Sequence, residues 1–581
     1  VIAAASEERF TRKKHDSGFP VFAIRYALEE AGIGAADLDG VIFYDKPILK
    51  FDRLLRSQLQ TFPASFSQFV DGMPRWMSTR LRLPRLLKKE FGYTGPLLYS
   101  EHHLSHAASS FYTSGWDEAA ILTVDGVGEW STASWGVGRG NEIDLKGEIR
   151  FPHSLGLLYS AFTWYCGFKV NSAEYKLMGL APYGEPRFVD RIKELVQIAE
   201  DGSFRLDMKY FEYTKGTQMF NEECEALMGQ PRRPLESEEM GTHYKDVARS
   251  IQAVTEEVML RMVRFVLKET GMTRLCMAGG VALNCVANGK ILRDGGFRDI
   301  WIQPAAGDAG GAIGAALAAW HTELGAERSV VKGDAMRGSY LGPEYSQSAI
   351  DDELVKCGAV FETVTTEDMV CETAQGLADG KAIGWFQGRM EFGPRALGGR
   401  SVIGDPRSGS MQKTLNLKVK YRESFRPFAP SVLREDVADW FEIDCDSPYM
   451  LMVADVRKSL RRDMTEAEQA LFGIEKLNVK RSDIPAVTHV DYSARIQTVH
   501  KETNPLFHAV ISAFKGLTGC PVVVNTSFNV RGEPIVCTVE DAFRCFMGTE
   551  IDMLVCGNSI LHRDRQDASL AEDYTSKYEL D

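Results

Sequence analysis

Three of the eleven histidines of this chain lie within five positions, in the run EHHLSH at 101–106. In a helix, His102 and His106 would lie on one face, one turn apart. That spacing lets two imidazoles share a metal ion. His103 would point elsewhere and is not expected to be a ligand. An HxxxH pair alone is weak evidence, because histidines also cluster by chance on surfaces and in cores.

Two aspartates could complete a metal site with these histidines. Asp125 ends the apolar run AAILTV and opens the turn DGVGE, where Gly126 and Gly128 let the backbone approach a metal or a phosphate closely. Asp308 lies at a loop-to-helix boundary in PAAGDAGGAIGAALAA, with small residues behind it. Two histidines and two carboxylates suit iron, zinc or manganese, with room for a substrate oxygen. Asp308 could instead be only a helix N-cap.

A pair of glycines, Gly279 and Gly280, follows the strand-like run RLCMA and precedes a helix pattern. Backbone N–H groups in such a turn could receive a nucleotide phosphate or let an adenine lie close. A tight turn without a ligand is the alternative interpretation.

Basic residues concentrate in one stretch of the second half. Ten lysines and arginines stand there against three acids, a local charge of +7 in a chain whose net charge is −13. Glycine and proline interrupt the stretch, so it predicts a loop-rich wall that suits a small phosphorylated substrate. A solvated surface run is the alternative. The ten basic residues are Lys381, Arg389, Arg395, Arg400, Arg407, Lys413, Lys418, Lys420, Arg422 and Arg426.

Two shorter motifs refine this second site. In KVKYR, Lys420 and Arg422 are two apart and would project to the same side of an extended segment. In VVVNTSFN, Ser527 and Asn529 follow a strand pattern and could orient a phosphate or a carbamoyl NH₂. Ser and Asn in such a loop could also only satisfy their own backbone as turn residues.

Alternating helix and strand patterns must position these residues. In the first half, 21–32 and 245–271 predict helices, and 39–45, 119–126 and 274–280 predict strands. In the second half, EDMVCETAQGLADG, NPLFHAVISAFKGLTG and VEDAFRCFMGT predict helices, and KAIGWFQG and PVVVNTSFN predict strands. This order indicates an α/β architecture. Periodicity is lost over 325–350, which predicts a domain junction near 345–370.

The beginning of the chain predicts a strand in VIAAA, and the sequence starts without Met. We expect the partner of that strand to lie upstream and treat the N-terminus as incomplete.

Composition bounds the class of protein. A net charge of −13 disfavours a general nucleic-acid binder. Eleven scattered cysteines without a CxxC pair indicate a reducing compartment, and we expect a cytoplasmic protein. No signal peptide and no uncharged run of membrane-spanning length is evident, so no membrane partner is expected.

These motifs together resemble the O-carbamoyltransferases of the NodU/CmcH type, such as tobramycin carbamoyltransferase. HHLSH, TVDGVGEW, EYKLMGLAPYG, MAGGVALNCVANGK and GDAGGAIGAA resemble the actin-like (ASKHA, Kae1/TsaD-like) half of that family. GRMEFGPRALGGRSVIGDPR, KVKYRESFRPFAPS and VVNTSFNVRGEPIV resemble its YrdC/Sua5-like α/β half. The resemblance therefore implies a carbamoyl-transfer domain at 1–355, built of two subdomains, and a carbamoyladenylate-forming domain at 356–581.

The resemblance implies a reaction in two steps. The second domain would bind carbamoyl phosphate and Mg-ATP. Carbamate would attack the α-phosphate of ATP, pyrophosphate would depart, and the product would be carbamoyladenylate. The first domain would receive the adenylate at its Fe(II) or Zn site and transfer the carbamoyl group to a small-molecule hydroxyl. Neither a nucleic-acid nor a membrane partner is implied, and a homodimer is left open.

The resemblance also implies roles for individual residues. The catalytic residues would be Lys420, Arg422, Ser527 and Asn529. The metal ligands would be His102, His106, Asp125 and Asp308. Contacts to nucleotide or phosphate would come from Lys14, Gly126, Gly128, Glu174, Lys176, Gly279, Gly280, Asn284, Arg389, Arg395 and Arg426.

The sequence departs from the family pattern at its start. The family opens with a strand and loop carrying a His-Asp pair before the strand that corresponds to VIAAA, and that pair is not in this sequence. His15 and Asp16 follow the strand and should not replace it. The alternatives are a threonylcarbamoyl transferase acting on tRNA and a nucleotide-gated binding module. A metalloprotease is disfavoured because HExxH is absent.

Overall fold

The structure, a computed structural model, describes residues 1–66, 69–70, 80–235, 240–331, 333–420, 428–471, 474–477 and 479–571. Contacts divide the chain into two compact units. One contains Val1 and Gly18–Ala335, and the other contains Ile2–Ser17 and Met336–Asp581. The family domains at 1–355 and 356–581 stay a prediction, whereas the packing of Ile2–Ser17 with the second unit was not expected from the sequence.

The first unit is built around a five-stranded sheet with the order Glu142–Arg150, Ser131–Arg139, Glu118–Val124, Arg274–Ala278, Asp299–Ile302. The last three strands are parallel, and the first two join them in antiparallel pairs. Parallel strands end at the same edge of a sheet. The segments that follow them, with Asp125, the glycine pair and Asp308, therefore meet at one edge.

Two small sheets and a set of helices complete this unit. Val41–Phe43 pairs with Leu97–Tyr99, and Val196–Ile198 pairs with Phe204–Leu206. The α-helices are Val21–Ala31, Pro47–Thr61, Leu83–Phe91, His102–Phe111, Leu155–Tyr165, Glu174–Leu180, Val189–Leu195, Glu222–Met228, Thr242–Thr270, Cys285–Asp294 and Asp308–Ala318.

The long helix Thr242–Thr270 confirms the apolar face predicted for 245–271. Its predicted core positions are all buried, and the helix ends at Gly271 with φ +65°. A positive φ favours glycine, because other residues meet a steric penalty there. The buried positions are Val247, Ile251, Val254, Val258 and Met262.

The helices His102–Phe111 and Asp308–Ala318 pack closely against each other. A Cβ built on Gly314 would lie 1.8 Å from the backbone oxygen of Ser105. Only glycine fits at such a contact, because any side chain would overlap with the neighbouring backbone. The small residues after Asp308 thus allow the helix carrying the histidines to approach the helix that begins at Asp308.

The second unit contains a nine-stranded mixed sheet. Its order is Glu362–Thr363, Ser559–His562, Met553–Cys556, Ile383–Phe386, Arg400–Gly404, Val522–Ser527, Ala429–Leu433, Ser493–Val499 and Met452–Asp455. Its α-helices are Glu7–Thr11, Gln347–Lys356, Thr366–Ala378, Met411–Thr414, Val437–Trp440, Glu466–Gln469, Ile474–Leu477, Pro505–Thr518 and Val539–Met547. The α/β class is confirmed, and the actin-like and YrdC-like assignments stay predictions.

Two local predictions are wrong. VIAAA forms no strand; the segment is irregular, and the N–H of Ala4 bonds to the carbonyl of Leu341. Lys420 is not in an extended segment, because it directly follows the π-helical turn Leu415–Val419 and has helical dihedral angles. In both cases a short apolar or basic run does not distinguish a strand from a loop or a turn. Within the described ranges, every helix is too short or too polar to span a bilayer.

Candidate functional site

Four residues that the sequence singled out come together in the first unit. One ligand atom from each of His102, His106, Asp125 and Asp308 lies within 4.8 Å of all the others. The histidines are one turn apart on the helix His102–Phe111, as predicted. Asp125 directly follows the strand Glu118–Val124, and Asp308 is the first residue of its helix.

The distances in this cluster fit a bound metal ion. The Nε2 atoms of His102 and His106 are 3.1 Å apart, and Asp125 Oδ2 lies 3.1 Å and 3.7 Å from them. Asp308 Oδ1 lies 3.7 Å and 3.8 Å from the same nitrogens. Ligand nitrogens about 2.1 Å from one metal would be roughly 3.0–3.4 Å apart. Imidazole and carboxylate donors suit iron, zinc or manganese.

The cluster is accessible to solvent on one side only, because its four residues are buried to different extents. His102, His106 and Asp125 are buried, whereas 57% of the surface of the Asp308 side chain is exposed. A site that is closed on the protein side and open beside one carboxylate leaves room for a substrate.

The electrostatics of the cluster are those of an ion pair. Burial opposes the charged form of His102, but the hydrogen bond and charge of Asp125 outweigh burial and raise the pKa of His102 above 6.5. Burial alone would raise the pKa of Asp125. The hydrogen bonds from His102 and His106 hold it well below 3.8 instead. Asp125 is therefore a carboxylate at neutral pH, and it can accept a hydrogen bond or bind a cation.

Backbone groups and a buried acid hold these ligands in place. The N–H of Gly280 donates to Asp125 Oδ1 over 2.7 Å, so the predicted glycine turn orients a ligand. The carboxylate of Glu129 accepts from the N–H of His102 at 3.1 Å and from the N–H of Lys46 at 2.7 Å. Glu129 thereby caps the helix that carries both histidines, a role favoured by the positive end of the helix dipole.

Sequence reasoning missed Glu129 and Tyr44. Glu129 follows the turn DGVG, and its place in that turn was the only signal available in the sequence. The Tyr44 hydroxyl lies 3.5 Å from Asp308 Oδ2, and its ring centre is 5.6 Å from that of His102. Burial first, and then the charge of Asp308, raises the pKa of Tyr44, so the phenol keeps its proton.

His103 faces away from the cluster, as its place on the helix predicts. Its Nδ1 lies 2.8 Å from the Thr123 hydroxyl and 3.1 Å from that of Ser134. Burial lowers the pKa of His103 to about 3, so the ring is neutral. It is a core histidine behind the candidate ligands.

The predicted nucleotide contacts of the first unit have structural roles that the sequence did not reveal. Glu174 accepts from the Ser160 hydroxyl and the Asn171 N–H. Asn284 is the N-cap of the helix Cys285–Asp294, and its side-chain amide exchanges two hydrogen bonds of 3.1 Å with that of Gln252. Lys176 is almost fully buried. Ligand binding by these residues stays a prediction.

The glycines of this unit also differ in their structural needs. Gly279 has φ +95°, and a Cβ there would lie 2.2 Å from the Val124 carbonyl oxygen. Gly126 has no atom within 4 Å of such a Cβ, so it has open space beside it.

A second cluster forms in the second unit around Lys420. Its ammonium group donates to Asn529 Oδ1 and to the Asn529 carbonyl, both at 2.8 Å, and to the carbonyl and hydroxyl of Ser527. The Ser527 hydroxyl also donates to Asn529 Oδ1 over 2.7 Å. Three of the four predicted catalytic residues are thus in direct contact, and they come from two distant segments of the chain.

Other predicted residues of this unit are placed as follows. Arg422 and Arg426 lie outside the described residues. Arg389 is half-buried and donates to the carbonyls of Leu341 and Gly342. Arg395 and Lys14 are also half-buried.

Much of the predicted basic wall binds the protein itself. Arg400 is fully buried, and its guanidinium donates to the carbonyls of Gln387, Gly388, Gly399 and Pro343 at 3.0 Å. Arg407 forms a two-pronged ion pair with Asp405. The local charge of +7 therefore overstates the charge available to a substrate.

Comparison with known proteins covers both units. Residues 1–317 match the family model described as carbamoyltransferase N-terminus, and residues 374–563 match carbamoyltransferase C-terminus. The chain belongs to the carbamoyltransferase family. This confirms the resemblance inferred from the motifs.

Relatives match all or part of the chain. An uncharacterized protein of Synechocystis, sll1178, is 56% identical over 100% of this chain and 96% of its own length. Nodulation protein NolNO of Sinorhizobium fredii is 38% identical over 97% of this chain and 77% of its own. The 3'-hydroxymethylcephem-O-carbamoyltransferase of Streptomyces clavuligerus is 33% identical over 50% of this chain and 49% of its own.

Among solved structures, T. kodakarensis HypF has a TM-score of 0.23 at 16% identity, over 42% of this chain and 39% of that one. A TM-score that low does not indicate a shared fold.

Proposed function

We propose that this protein is an ATP-dependent O-carbamoyltransferase that uses carbamoyl phosphate as its donor. The observation that carries the proposal is the contact of Lys420 with Ser527 and Asn529 in the part of the chain that belongs to the family's C-terminal region. A buried ammonium group beside a hydroxyl and an amide suits a small phosphorylated substrate, because it combines charge with directed hydrogen bonds.

The proposed chemistry balances in three stages. Carbamoyl phosphate and water give carbamate and phosphate. Carbamate oxygen then attacks the α-phosphorus of Mg-ATP, which forms carbamoyladenylate and expels pyrophosphate. Last, an acceptor hydroxyl attacks the carbamoyl carbon, and AMP leaves with the bonding electrons while the hydroxyl proton passes to a base or water.

In the second unit, Lys420 would neutralise a phosphate oxygen. Its partners include neutral oxygens of Ser527 and Asn529, and an anionic phosphate oxygen competes well with a neutral oxygen for such a donor because the bond is charge-assisted. Ser527 and Asn529 would then be free to orient the phosphate or the carbamoyl NH₂.

In the first unit, His102, His106, Asp125 and Asp308 would hold Fe(II) or Zn. When bound, such an ion acts as a Lewis acid that stabilises negative charge on a carbonyl or phosphate oxygen. Gly280 and Glu129 keep Asp125 and His102 in place. The exposed side at Asp308 would admit the acceptor, and the Streptomyces relative, named for a hydroxymethyl substrate, supports a hydroxyl acceptor.

The test separates the two sites. Wild type should release pyrophosphate from ATP only when carbamoyl phosphate is present. Lys420→Ala and Ser527→Ala should abolish that release, whereas Asp308→Asn should keep it and lose transfer to an acceptor, found by mass shifts across a panel of hydroxylated metabolites. A nucleotide-gated binding module would release no pyrophosphate. The opposite pattern in the variants would reverse the assignment of the two sites.

The metal is tested without activity. The purified protein should hold about one Fe or Zn per chain, and His102→Ala combined with His106→Ala should remove it. Unchanged metal content in the double variant would reject the site. His103→Ala is the matched control, because His103 lies on the same helix as the two ligands but faces Thr123 and Ser134 of the sheet.

A further inference from the structure

Residues 2–17 pack with the second unit, although residues 1–317 match the family's N-terminal model. This segment contains the short helix Glu7–Thr11, which ends at Arg12. Its first arginine, Arg9, is buried and donates to the carbonyl of Gly393 over 2.8 Å. The segment thus contributes arginines to the interior of a unit that lies hundreds of positions further along the chain.

Arg12 binds the loop that follows Asn529. Its Nη1 donates to the carbonyl of Ile535 at 2.7 Å, and its Nη2 donates to the carbonyl of Pro534 at 2.9 Å and to Glu533 Oε1 at 2.8 Å. Its Nε lies 3.2 Å from Asp541 Oδ1. A planar guanidinium presents its N–H donors in a rigid fork, whereas the donors of an ammonium group rotate about its stem.

Glu533 connects Arg12 to the Lys420 cluster. The Glu533 side chain has no exposed surface, so its charge is stabilised by Arg12 rather than by water. Its Oε2 accepts from the N–H of Val530 at 3.0 Å, which closes the turn between the two residues. Its backbone carbonyl accepts from Asn529 Nδ2 at 2.7 Å.

The bond from Asn529 to Glu533 decides which way the Asn529 amide points. With Nδ2 donating to that carbonyl, Oδ1 is the atom that accepts from Lys420 and from the Ser527 hydroxyl. The reverse orientation would place an NH₂ group against an ammonium group, and neither can accept a hydrogen bond. The turn from Val530 to Glu533 therefore sets the geometry around Lys420.

The backbone of Arg12 shows that its side chain is held under constraint. Arg12 has φ +58° and ψ +17°, the left-handed conformation in which glycine is the usual residue at a helix C-terminus. Non-glycine residues stay in this region only when surrounding contacts fix them there. Here, such contacts include the ones that the guanidinium makes with Glu533, Pro534, Ile535 and Asp541.

We infer that Arg12 is a positioning residue for the Lys420 cluster. It fixes Glu533, Glu533 fixes the amide of Asn529, and Asn529 orients Lys420. This inference rests on the proposed function in that the cluster is taken as the carbamoyl phosphate site. Arg12 itself touches neither substrate; it is a contribution of the N-terminal segment to the chemistry of the second unit.

The decisive variants are Arg12→Gly and Arg12→Lys. Glycine suits the left-handed backbone, so Arg12→Gly removes the guanidinium without adding strain. Lysine keeps the charge and loses the fork. The matched control is Lys13→Ala, which removes one charge from an exposed neighbour in the same segment.

The first measurement is pyrophosphate release at varied carbamoyl phosphate and varied ATP. Arg12→Gly should raise the KM for carbamoyl phosphate about ten- to hundred-fold, Arg12→Lys should raise it less, and the KM for ATP should stay within about twofold. A purely structural role would lower the amount of active enzyme without changing one KM selectively. An unchanged carbamoyl phosphate KM in both variants would overturn the inference.

The second measurement is hydrogen–deuterium exchange in the peptide 528–536. Exchange should be faster in Arg12→Gly than in wild type and unchanged in Lys13→Ala; equal protection in all three would overturn the inference. If wild type releases no pyrophosphate, the proposed function fails, and exchange still decides whether Arg12 holds the turn. If both Arg12 variants fail to fold, Glu533→Gln tests the same link from its other end with the same expected results.

Discussion

Gly128 lies against the imidazole ring of His102. A Cβ built at position 128 would come within 2.9 Å of His102 Cβ and 3.0 Å of its Cδ2. Carbon atoms in ordinary contact are about 3.5–4.0 Å apart, so a side chain at 128 must displace the ring. The glycine in the turn DGVGE is therefore required by a candidate metal ligand, apart from any contact that it makes with phosphate.

Gly128→Ala should weaken metal binding. Moving the ring of His102 shifts its Nε2 away from Asp125, and disturbing the surroundings of a ligand typically costs about 10- to 100-fold in metal affinity. The measurement is Fe and Zn per chain after equilibration with a competing chelator. Gly126→Ala is the control, because a Cβ there meets nothing within 4 Å. Equal metal retention in the two variants would contradict the packing argument.

Metal binding should strengthen as pH rises toward the pKa of His102, which lies above 6.5. Because the pKa of His102 is raised above 6.5 in the folded metal-free protein, the stability it adds is fully present below pH 6.5 and is lost as pH rises through the folded pKa. The stability from Asp125, whose pKa is lowered, is present above about pH 3.8 and is lost only as pH falls through its folded pKa.

A metal ion binds only the neutral imidazole of His102, so protons compete with the metal for this ligand. Affinity should rise by up to about tenfold per pH unit below the His102 pKa and level off above it. The check is the difference in Tm between metal-loaded and metal-free protein at a series of pH values from about 5.5 to 8.5. A difference that shrinks with rising pH would contradict the ligand role of His102.

The candidate metal cluster could be predicted because its parts obey local rules. Helical periodicity puts His102 and His106 on one face, and the ends of parallel strands bring Asp125 near the loop before Asp308. Glu129 could not be predicted as a helix cap, since the sequence does not show which turn lies beside the start of a helix. The same holds for Tyr44, whose contact with Asp308 depends on how distant elements pack.

The second cluster shows the limit of counting charges. Lys420, Ser527 and Asn529 were predicted from motifs and are in contact. The other basic residues were grouped by sequence proximity alone, and one of them, Arg400, donates its hydrogen bonds to backbone carbonyls of the protein. Charge counts do not reveal which backbone carbonyls need a donor, because that depends on tertiary structure. The packing of residues 2–17 with the second unit could not be predicted either, because it also depends on tertiary structure.

Asn529→Asp should impair carbamoyl phosphate binding although the two side chains have the same shape. The new carboxylate would pair tightly with Lys420 and repel a phosphate, and it could no longer donate to the Glu533 carbonyl. Losing a charge-assisted contact costs about 1.5–3 kcal/mol, or roughly ten- to hundred-fold in KM for carbamoyl phosphate. The control is Asn558→Asp, a half-buried asparagine whose side chain bonds to Thr366. Equal KM values for the two variants would refute the assignment.

Arg400→Lys should destabilise the second unit by about 2–5 kcal/mol without touching a substrate site. The guanidinium of Arg400 satisfies four backbone carbonyls and stacks over the ring of Phe386 at 3.7 Å. A lysine ammonium cannot reach all of these oxygens, and a buried carbonyl without a donor costs free energy.

The measurement for Arg400→Lys is urea unfolding followed by circular dichroism, with Arg407→Lys as the matched control. Both changes replace arginine by lysine within the same basic stretch. Arg407 pairs with Asp405 nearer the surface, with 36% of its side chain exposed, so its replacement should cost about 1 kcal/mol or less. A similar loss of unfolding free energy in both variants would mean that the buried contacts of Arg400 contribute no more to stability than the ion pair of Arg407. A loss confined to Arg400→Lys would show that part of the basic charge stabilises the backbone at Pro343, Gln387, Gly388 and Gly399 rather than binding phosphate.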